Sequence, residues 1–541
     1  MTLPLGFRGT WRDDALARAV YSEAAGVGRA MPRAVAVPAD AEDLAALVGW
    51  AAARGEPLIP RGSGSSMANG AIGDGVIVDL RRLDALAAPN VVERRVVCGA
   101  AVLRDRLQQA VMRHALSFPV DPSSSAFATL GGMVATHAAG SRAVRYGPLR
   151  EWVLGVECVF ADGSRAWVRR GAPLPDVPAL RRFVADVAPQ VLATEPALLR
   201  HEGVRKESSG YALGVFARTG DLLDVLIGSE GTLACLTAVE LRLAPLPQRT
   251  VSLLAGFRDL EAAAATAVQL AAQGASAVEL LDRSFLDIAR SGGRALPVPD
   301  DLEAVLVIEA ELPTDAYAER RADDLRGWCE AGGAVFAQAA LTPEDEVRVW
   351  QLRHAASPIL NELAPRWQSL QLVEDGCVPP ERFAEYVREV RAALERARFR
   401  GVIFGHAGDA HAHVNALVDT GEPDWRARCE RLLEDVTATV VRLGGTTAGE
   451  HGDGRLRTPL MARHWSPQAM ALFAATKAAF DPQGILNPGV KVPLPGARPL
   501  EAVKYDPALE PLPEAARHVI DVVVRERAWA RDRLEMLKAL G

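Results

Sequence analysis

Residues 120–147 read VDPSSSAFATLGGMVATHAAGSRAVRYG, a stretch in which Thr129, Gly131, Gly132, Ala135, Ala138 and Gly140 leave almost no side-chain bulk. Few core helices are so stripped. Such a face suits either close packing against a neighbouring helix or a flat ligand laid along the main chain. Two further strings turn the choice. In RGSGSSMANG (61–70) the glycines permit positive φ and can aim several N–H groups at one anion, as a phosphate requires, although a hairpin turn uses the same residues. In IGSEGTLACLTAVELRL (227–243) the residues from Gly228 to Thr232 form a tight turn before a strand. Neither string is a G-x-G-x-x-G that opens a helix, so a nicotinamide-type Rossmann fingerprint is not supported.

The rest of the composition narrows the function classes. At 541 residues the chain exceeds what one core serves, so several domains are expected. Apolar residues at 49% and charged residues at 24% fit a folded globular protein rather than a disordered one. A net charge of -7 gives no basic field for a nucleic acid or an anionic lipid surface. The N-terminus lacks the pattern of a signal peptide and no apolar run reaches 18 residues, which reads as cytoplasmic or membrane-peripheral, with no transmembrane segment. The six cysteines are too scattered for a zinc ribbon or an iron–sulfur site and read as core thiols.

Outward from the glycine strings, DAEDLAALVGWAAARGE (40–56) reads as a helix capped by Asp40, with Leu44, Leu47 and Val48 buried. From about Val251 the pattern predicts a strand-helix-strand-strand-helix-strand sheet with helices on one face. The segment after Pro493 turns Pro-rich, and Val519, Val523 and Leu534 predict a terminal helix docked on the body. The boundaries so drawn are 1–243, 244–480, a return segment 481–500 and a helical tail 501–541.

GHAGDAHAHVN (405–415) places three of the chain's ten histidines in eleven positions. His406 and His413 are seven apart, so a turn between them would make them converge. GGTTAGEHGDGR (444–455) adds Glu450 and His451. Two imidazoles and a carboxylate suit zinc, manganese or iron(II), although hydrogen-bonded turn histidines remain the plain alternative. In VRKESSGYAL (204–213) the Arg205 guanidinium can clamp a carboxylate. Arg353 is a weaker candidate for the same clamp, with helix-surface charge as its main reading, and Glu374 and Asp375 of VEDGCVPP are expected at a strand end beside the pocket, with no chemical role.

The three glycine strings, in this order and followed by FDPQGILNPG (480–489), resemble the FAD-binding domain of the vanillyl-alcohol oxidase (PCMH) superfamily of FAD-linked oxidases. Within it the resemblance is to the D-lactate, glycolate and D-2-hydroxyglutarate dehydrogenases, over about Pro32 to Val492. The resemblance implies an α+β architecture: a two-subdomain PCMH-type FAD-binding domain and a ferredoxin-like cap domain for substrate and metal. It implies FAD contacts from the loop Arg61, Gly62, Ser63, Gly64, Ser65 and Ser66. It implies further contacts from Thr129, Gly131 and Gly132, with Pro122, Gly140, Tyr146 and Val156 nearby and Asn487 reaching the flavin. Covalently flavinylated relatives often place histidine where this chain has Ser65, which implies dissociable FAD. His406, His413 and Glu450 match the metal ligands, Asn415 and Ser209 substrate contacts, Arg205 the carboxylate clamp and His451 the base. The implied reaction is oxidation of a D-2-hydroxy acid to the 2-oxo acid, with electrons passed to a separate iron–sulfur subunit, quinone, cytochrome or electron-transfer flavoprotein. Two other readings of the same motifs are an alkylglycerone-phosphate synthase-like enzyme and an FAD-binding electron-transfer subunit. The chain departs from its relatives at Ala410 and His411, which stand where glycine and asparagine are usual. His411 is thereby an open candidate for ligand or substrate contact, and Ala410 is strained if its φ is positive.

Overall fold

A computed structural model describes residues 6–291, 296–354 and 366–540. Asp40 caps the helix Ala41–Ala52 by accepting from the Asp43 N–H, and Leu44, Leu47 and Val48 are buried, as the pattern requires. That helix joins β2 (Ala34–Val37) to β3 (Leu58–Arg61) in a sheet ordered β1-β2-β4-β3, where β1 is Thr10–Arg12 and β4 is Val76–Asp79. β2, β3 and β4 are parallel, and the glycine loop lies between the ends of β3 and β4. A second, antiparallel sheet runs β5 (Arg95–Gly99), β9 (Cys235–Arg242), β7 (Val153–Val159) and β8 (Arg165–Arg169). The short strands β6 (Leu116–Ser117) and β10 (Ala244–Pro245) pair beside it. The small-residue stretch supplies a helix, Leu130–Thr136, capped by Thr129 and ended by His137 in the left-handed conformation.

The third sheet has β11 (Arg249–Phe257), β12 (Ala277–Asp282), β13 (Ala304–Leu312) and β14 (Ala334–Ala340) in the order β14-β11-β13-β12, all antiparallel, which is the ferredoxin-like arrangement. The hairpin β17 (Arg400–Gly405) and β18 (His411–Val418) anneals to β12. β15 (Gln368–Leu370) and β16 (Gly376–Cys377) add to β18. The helices Leu260–Ala272, Ala318–Ala331, Phe383–Arg396 and Trp425–Arg442 cover one face. The expected one-sided sheet is incomplete, because Arg283–Ser291 and Pro343–His354 pack on the opposite face through Phe285, Leu286, Val349 and Leu352. Strand periodicity explains how β18 serves two environments. Ala412, Val414, Ala416 and Val418 join the core under the four helices, so His411, His413, Asn415 and Leu417 point the other way.

After Leu486 bridges to Leu58, the chain returns to the first sheet and ends in two helices, Glu514–Arg525 and Arg533–Lys538. Val519, Val523 and Leu534 are buried against the helix Ala15–Val20 and β2, but the expected single helix is broken at Arg527, whose φ is +52°. All six cysteines are buried free thiols.

Candidate active site

One cavity of about 570 Å³ runs from the glycine loop to the histidine hairpin, within the size range of a cofactor and substrate site. Gly62, Ser63, Gly64, Ser65 and Ser66 line it, and none of the backbone N–H groups of residues 62–66 donates to another described residue. These are unspent donors in a concave loop, the property an anion such as a diphosphate requires. Pro122, Thr129, Gly131 and Gly132 also line it. The two helix glycines serve different purposes. A Cβ on Gly131 would strike Ala100 at 2.6 Å, so close packing demands that glycine. A Cβ on Gly132 would meet only the Thr129 hydroxyl, at 2.9 Å, so that glycine keeps space open. The cavity therefore fits the FAD implied by the motifs.

At the other end the hairpin turn Ala407–Asp409 brings His406 back toward the β18 face. His406, His411, His413 and Glu450 each offer a ligand atom within 4.8 Å of the others, all buried. Each imidazole has one nitrogen committed elsewhere. His406 Nδ1 bonds Glu279 at 2.6 Å, His411 Nε2 bonds Asp375 at 2.9 Å, and His413 Nδ1 bonds the Glu374 carbonyl at 2.7 Å. Such outer partners fix the tautomer and leave the second nitrogen with a lone pair. His406 Nε2 and His413 Nε2 lie 3.0 and 3.4 Å from Glu450 Oε1. His411 Nδ1 is buried with no hydrogen-bond partner among the described residues. Three lone-pair nitrogens with a buried carboxylate fit a divalent cation.

The electrostatics agree with a site built for positive charge. Burial works against charged His413, yet Glu374 and Glu450 push its pKa up to about 10. Burial lowers that of His411 to about 4, outweighing Glu450 and Asp375. Glu450 is held well below the carboxylate range, against burial, by Lys206 and His406, and the Lys206 Nζ sits 3.0 Å from its Oε2. His451 donates Nδ1–H to Glu374 at 2.6 Å and stacks on His413 with ring centroids 5.2 Å apart. Burial opposes the charged form of His451, but Glu374 and Asp375 raise its pKa overall.

Several expectations need correction. Arg205 is exposed and donates to the Gly408 carbonyl at 2.6 Å, because its neighbour Lys206 takes the inward position on that stretch. Ser209 is off the cavity wall, spent on Asp453 and Trp465. Gly140 is packed on Asp121, Tyr146 bonds Glu311, and Val156 is inside the second sheet. Asn487 bonds the carbonyls of Gly70 and Glu230, so none of these four lines the cavity. Arg61 reaches it without a free guanidinium, since that group is buried on the carbonyls of Tyr21, Glu23 and Ala71. In the opposite direction, Arg353 is no surface charge. It is buried on the cavity wall, paired with Glu279 and lying over Phe404. Glu374 and Asp375 are not bystanders either. Glu374 holds His451 and Arg457, and Asp375 holds His411 and the N–H groups of Glu450 and His451. Glu279 escaped the sequence reading, although a glutamate inside the apolar run AVELLD was a signal. Asn415 does line the cavity.

Residues 32–169 match the FAD binding domain family model, and residues 246–490 match that of the FAD linked oxidases, C-terminal domain. The glycolate oxidase subunit GlcD of Bacillus subtilis is 28% identical over 88% of this chain and 93% of its own length. A D-lactate dehydrogenase of Archaeoglobus fulgidus is 29% identical over 84% of this chain and 90% of its own. Among solved structures, the 4-ethylphenol oxidase from Gulosibacter chungangensis has the same fold, with a TM-score of 0.64 at 17% identity over 90% of this chain and 94% of that one. With both domains matched in order around a single cavity, the chain belongs to the FAD-linked oxidase flavoproteins of the PCMH superfamily.

Proposed function

We propose that this oxidoreductase converts a D-2-hydroxy acid to the 2-oxo acid. The observation that carries the reading is that Arg353, His413, Asn415, Glu450 and His451 line the same cavity as the loop 61–66. FAD bound there without a covalent link supplies a two-electron acceptor, and a divalent cation, zinc, manganese or iron, supplies charge that lowers the substrate hydroxyl pKa. His406, His413 and Glu450 would hold the cation, with His411 as a further donor. Arg353 replaces Arg205 as carboxylate clamp, because it lines the cavity and, among the described residues, hydrogen-bonds only through Nε, to Glu279. Asn415 orients the substrate. His451 takes the hydroxyl proton at Nε2, while Glu374 keeps Nδ1–H in place and stabilises the imidazolium. Phe404 and Trp367 add apolar wall at that end. The electrons leave to a separate acceptor, an iron–sulfur subunit, a quinone, a cytochrome or an electron-transfer flavoprotein.

The test is anaerobic mixing of the purified flavoprotein with D- and L-2-hydroxy acids, with metal analysis of the same sample. Bleaching of the flavin by a D-acid and not by its L-enantiomer is expected. A flavin that stays oxidised with every acid defeats the reading.

A further inference from the structure

Among the described residues, four lysine and arginine side chains line the cavity, namely Arg61, Arg353, Lys504 and Arg527. Two already have partners: Arg353 is ion-paired with Glu279 at the histidine end, and Arg61 is held by three carbonyls and the Tyr21 ring. The other two belong to the tail, beyond the residues 246–490 matched by the family model. Lys504 bonds the carbonyls of Ala24 and Ala25 and, among the described residues, no carboxylate. Arg527 donates one bond, to the Ser123 carbonyl at 3.1 Å, and lies 5.2 Å from the centre of the Phe127 ring. Among the described residues it has no carboxylate partner. Half-buried guanidinium groups rarely stand without an anion, since desolvation is then uncompensated. Burial does lower the Arg527 pKa, with no acid opposing it.

Arg527 is also firmly placed. It occupies the left-handed break between the two tail helices, and Trp529, buried two residues on, packs on Phe127 with ring centroids 6.5 Å apart. Ser123 and Phe127 belong to the segment that runs directly into Thr129 and the helix facing the unspent N–H groups of the glycine loop.

We propose that the C-terminal tail is a clasp over the ADP half of FAD, with Arg527 supplying the cation that faces its diphosphate. This rests on the FAD reading above and adds to it the means of retention for a cofactor without a covalent link. Full-length protein is to be compared with Arg527→Ala, Arg527→Lys and Arg527→Gln by equilibrium dialysis against FAD, ADP and riboflavin, with circular dichroism on each variant. About tenfold or greater weakening for FAD and ADP in Arg527→Ala is expected, with partial recovery in Arg527→Lys and riboflavin binding unchanged. Arg527→Gln, which can keep the bond to Ser123, should weaken FAD as Arg527→Ala does, which separates lost charge from lost support. FAD and ADP affinities within twofold of the parent in folded Arg527→Ala and Arg527→Gln overturn the clasp. A parent chain that binds no FAD overturns instead the reading on which it rests.

Discussion

The two ends of the cavity hold their ligands by opposite means. At the glycine loop the walls are mostly backbone N–H groups and small side chains, joined by the tail cations Lys504 and Arg527. At the histidine hairpin the chemistry is carried by side chains, buried except for the partly exposed His451, and each imidazole is steadied by a buried side chain or carbonyl behind it: Glu279 behind His406, Asp375 behind His411, Glu374 behind His413 and His451. The first end is a shape, forgiving of side-chain chemistry and intolerant of added bulk. The second is an ionic network, where removing one member strands its partner and costs more than the lost contact alone.

That contrast is broken most directly at Glu450. Glu450→Ala should abolish metal retention and slow flavin reduction by roughly 1000-fold or more, since each tenfold is only about 1.4 kcal/mol of barrier. Metal stoichiometry and single-turnover reduction check it, and the flavin should stay bound because no FAD-facing loop is touched. His451→Ala separates proton transfer from metal binding. It should keep the metal and lose about 100-fold in the reduction step. Unchanged reduction would remove His451 from the role of base.

Two substitutions of intermediate effect probe each end once. Glu279→Gln leaves every proposed ligand in place and removes only the charge behind His406 and Arg353. It should weaken metal binding by about 10- to 100-fold, read by competition with a chelator. Gly132→Val places bulk where the helix faces the cofactor loop. It should weaken FAD by about tenfold, in keeping with overpacking costs of roughly 1–3 kcal/mol, while leaving metal content alone. If Gly132→Val lost the metal as well, the two ends would not be separable.

The same contrast explains what the sequence disclosed. The glycine loop and the helix after Thr129 are local: the residues that make the shape are neighbours in the chain, and composition alone marks them. Which side of a local string faces the cavity is not local. Gly140, Tyr146 and Asn487 belong to the right strings yet lie off the cavity wall. For the ionic end, the ligand-bearing motifs were legible as histidines and acids in glycine-rich turns. Their supports were not, because Glu279 meets His406 across 127 residues and Glu374 meets His451 across 77. Arg205 and Lys206 show the limit most sharply, since of two adjacent cations on an irregular stretch one stays exposed and the other is buried on Glu450, and only packing decides which. The spacing of His411, His413 and Asn415 by two was a usable signal of one strand face.

The smallest effect is expected at Ala410, in the turn between the histidines. Its φ is +56°, so a non-glycine residue holds a left-handed position at the centre of the ionic end. Left-handed backbone costs an L-residue about 1–2 kcal/mol, which glycine would recover. Against that, the Ala410 methyl is fully buried in the core under the four helices. A buried methyl contributes about 0.8 kcal/mol, and glycine would further lose roughly 0.4–1 kcal/mol through the greater freedom of the unfolded chain. The terms nearly cancel, so Ala410→Gly should shift stability by less than about 1 kcal/mol, read as the midpoint of chemical denaturation, with metal content unchanged. Ala410→Val adds two carbons at a fully buried site and puts a branched side chain at positive φ, and it should be the more damaging of the two. The reverse order would mean that the hairpin turn is held by packing alone and that its left-handed residue carries no strain.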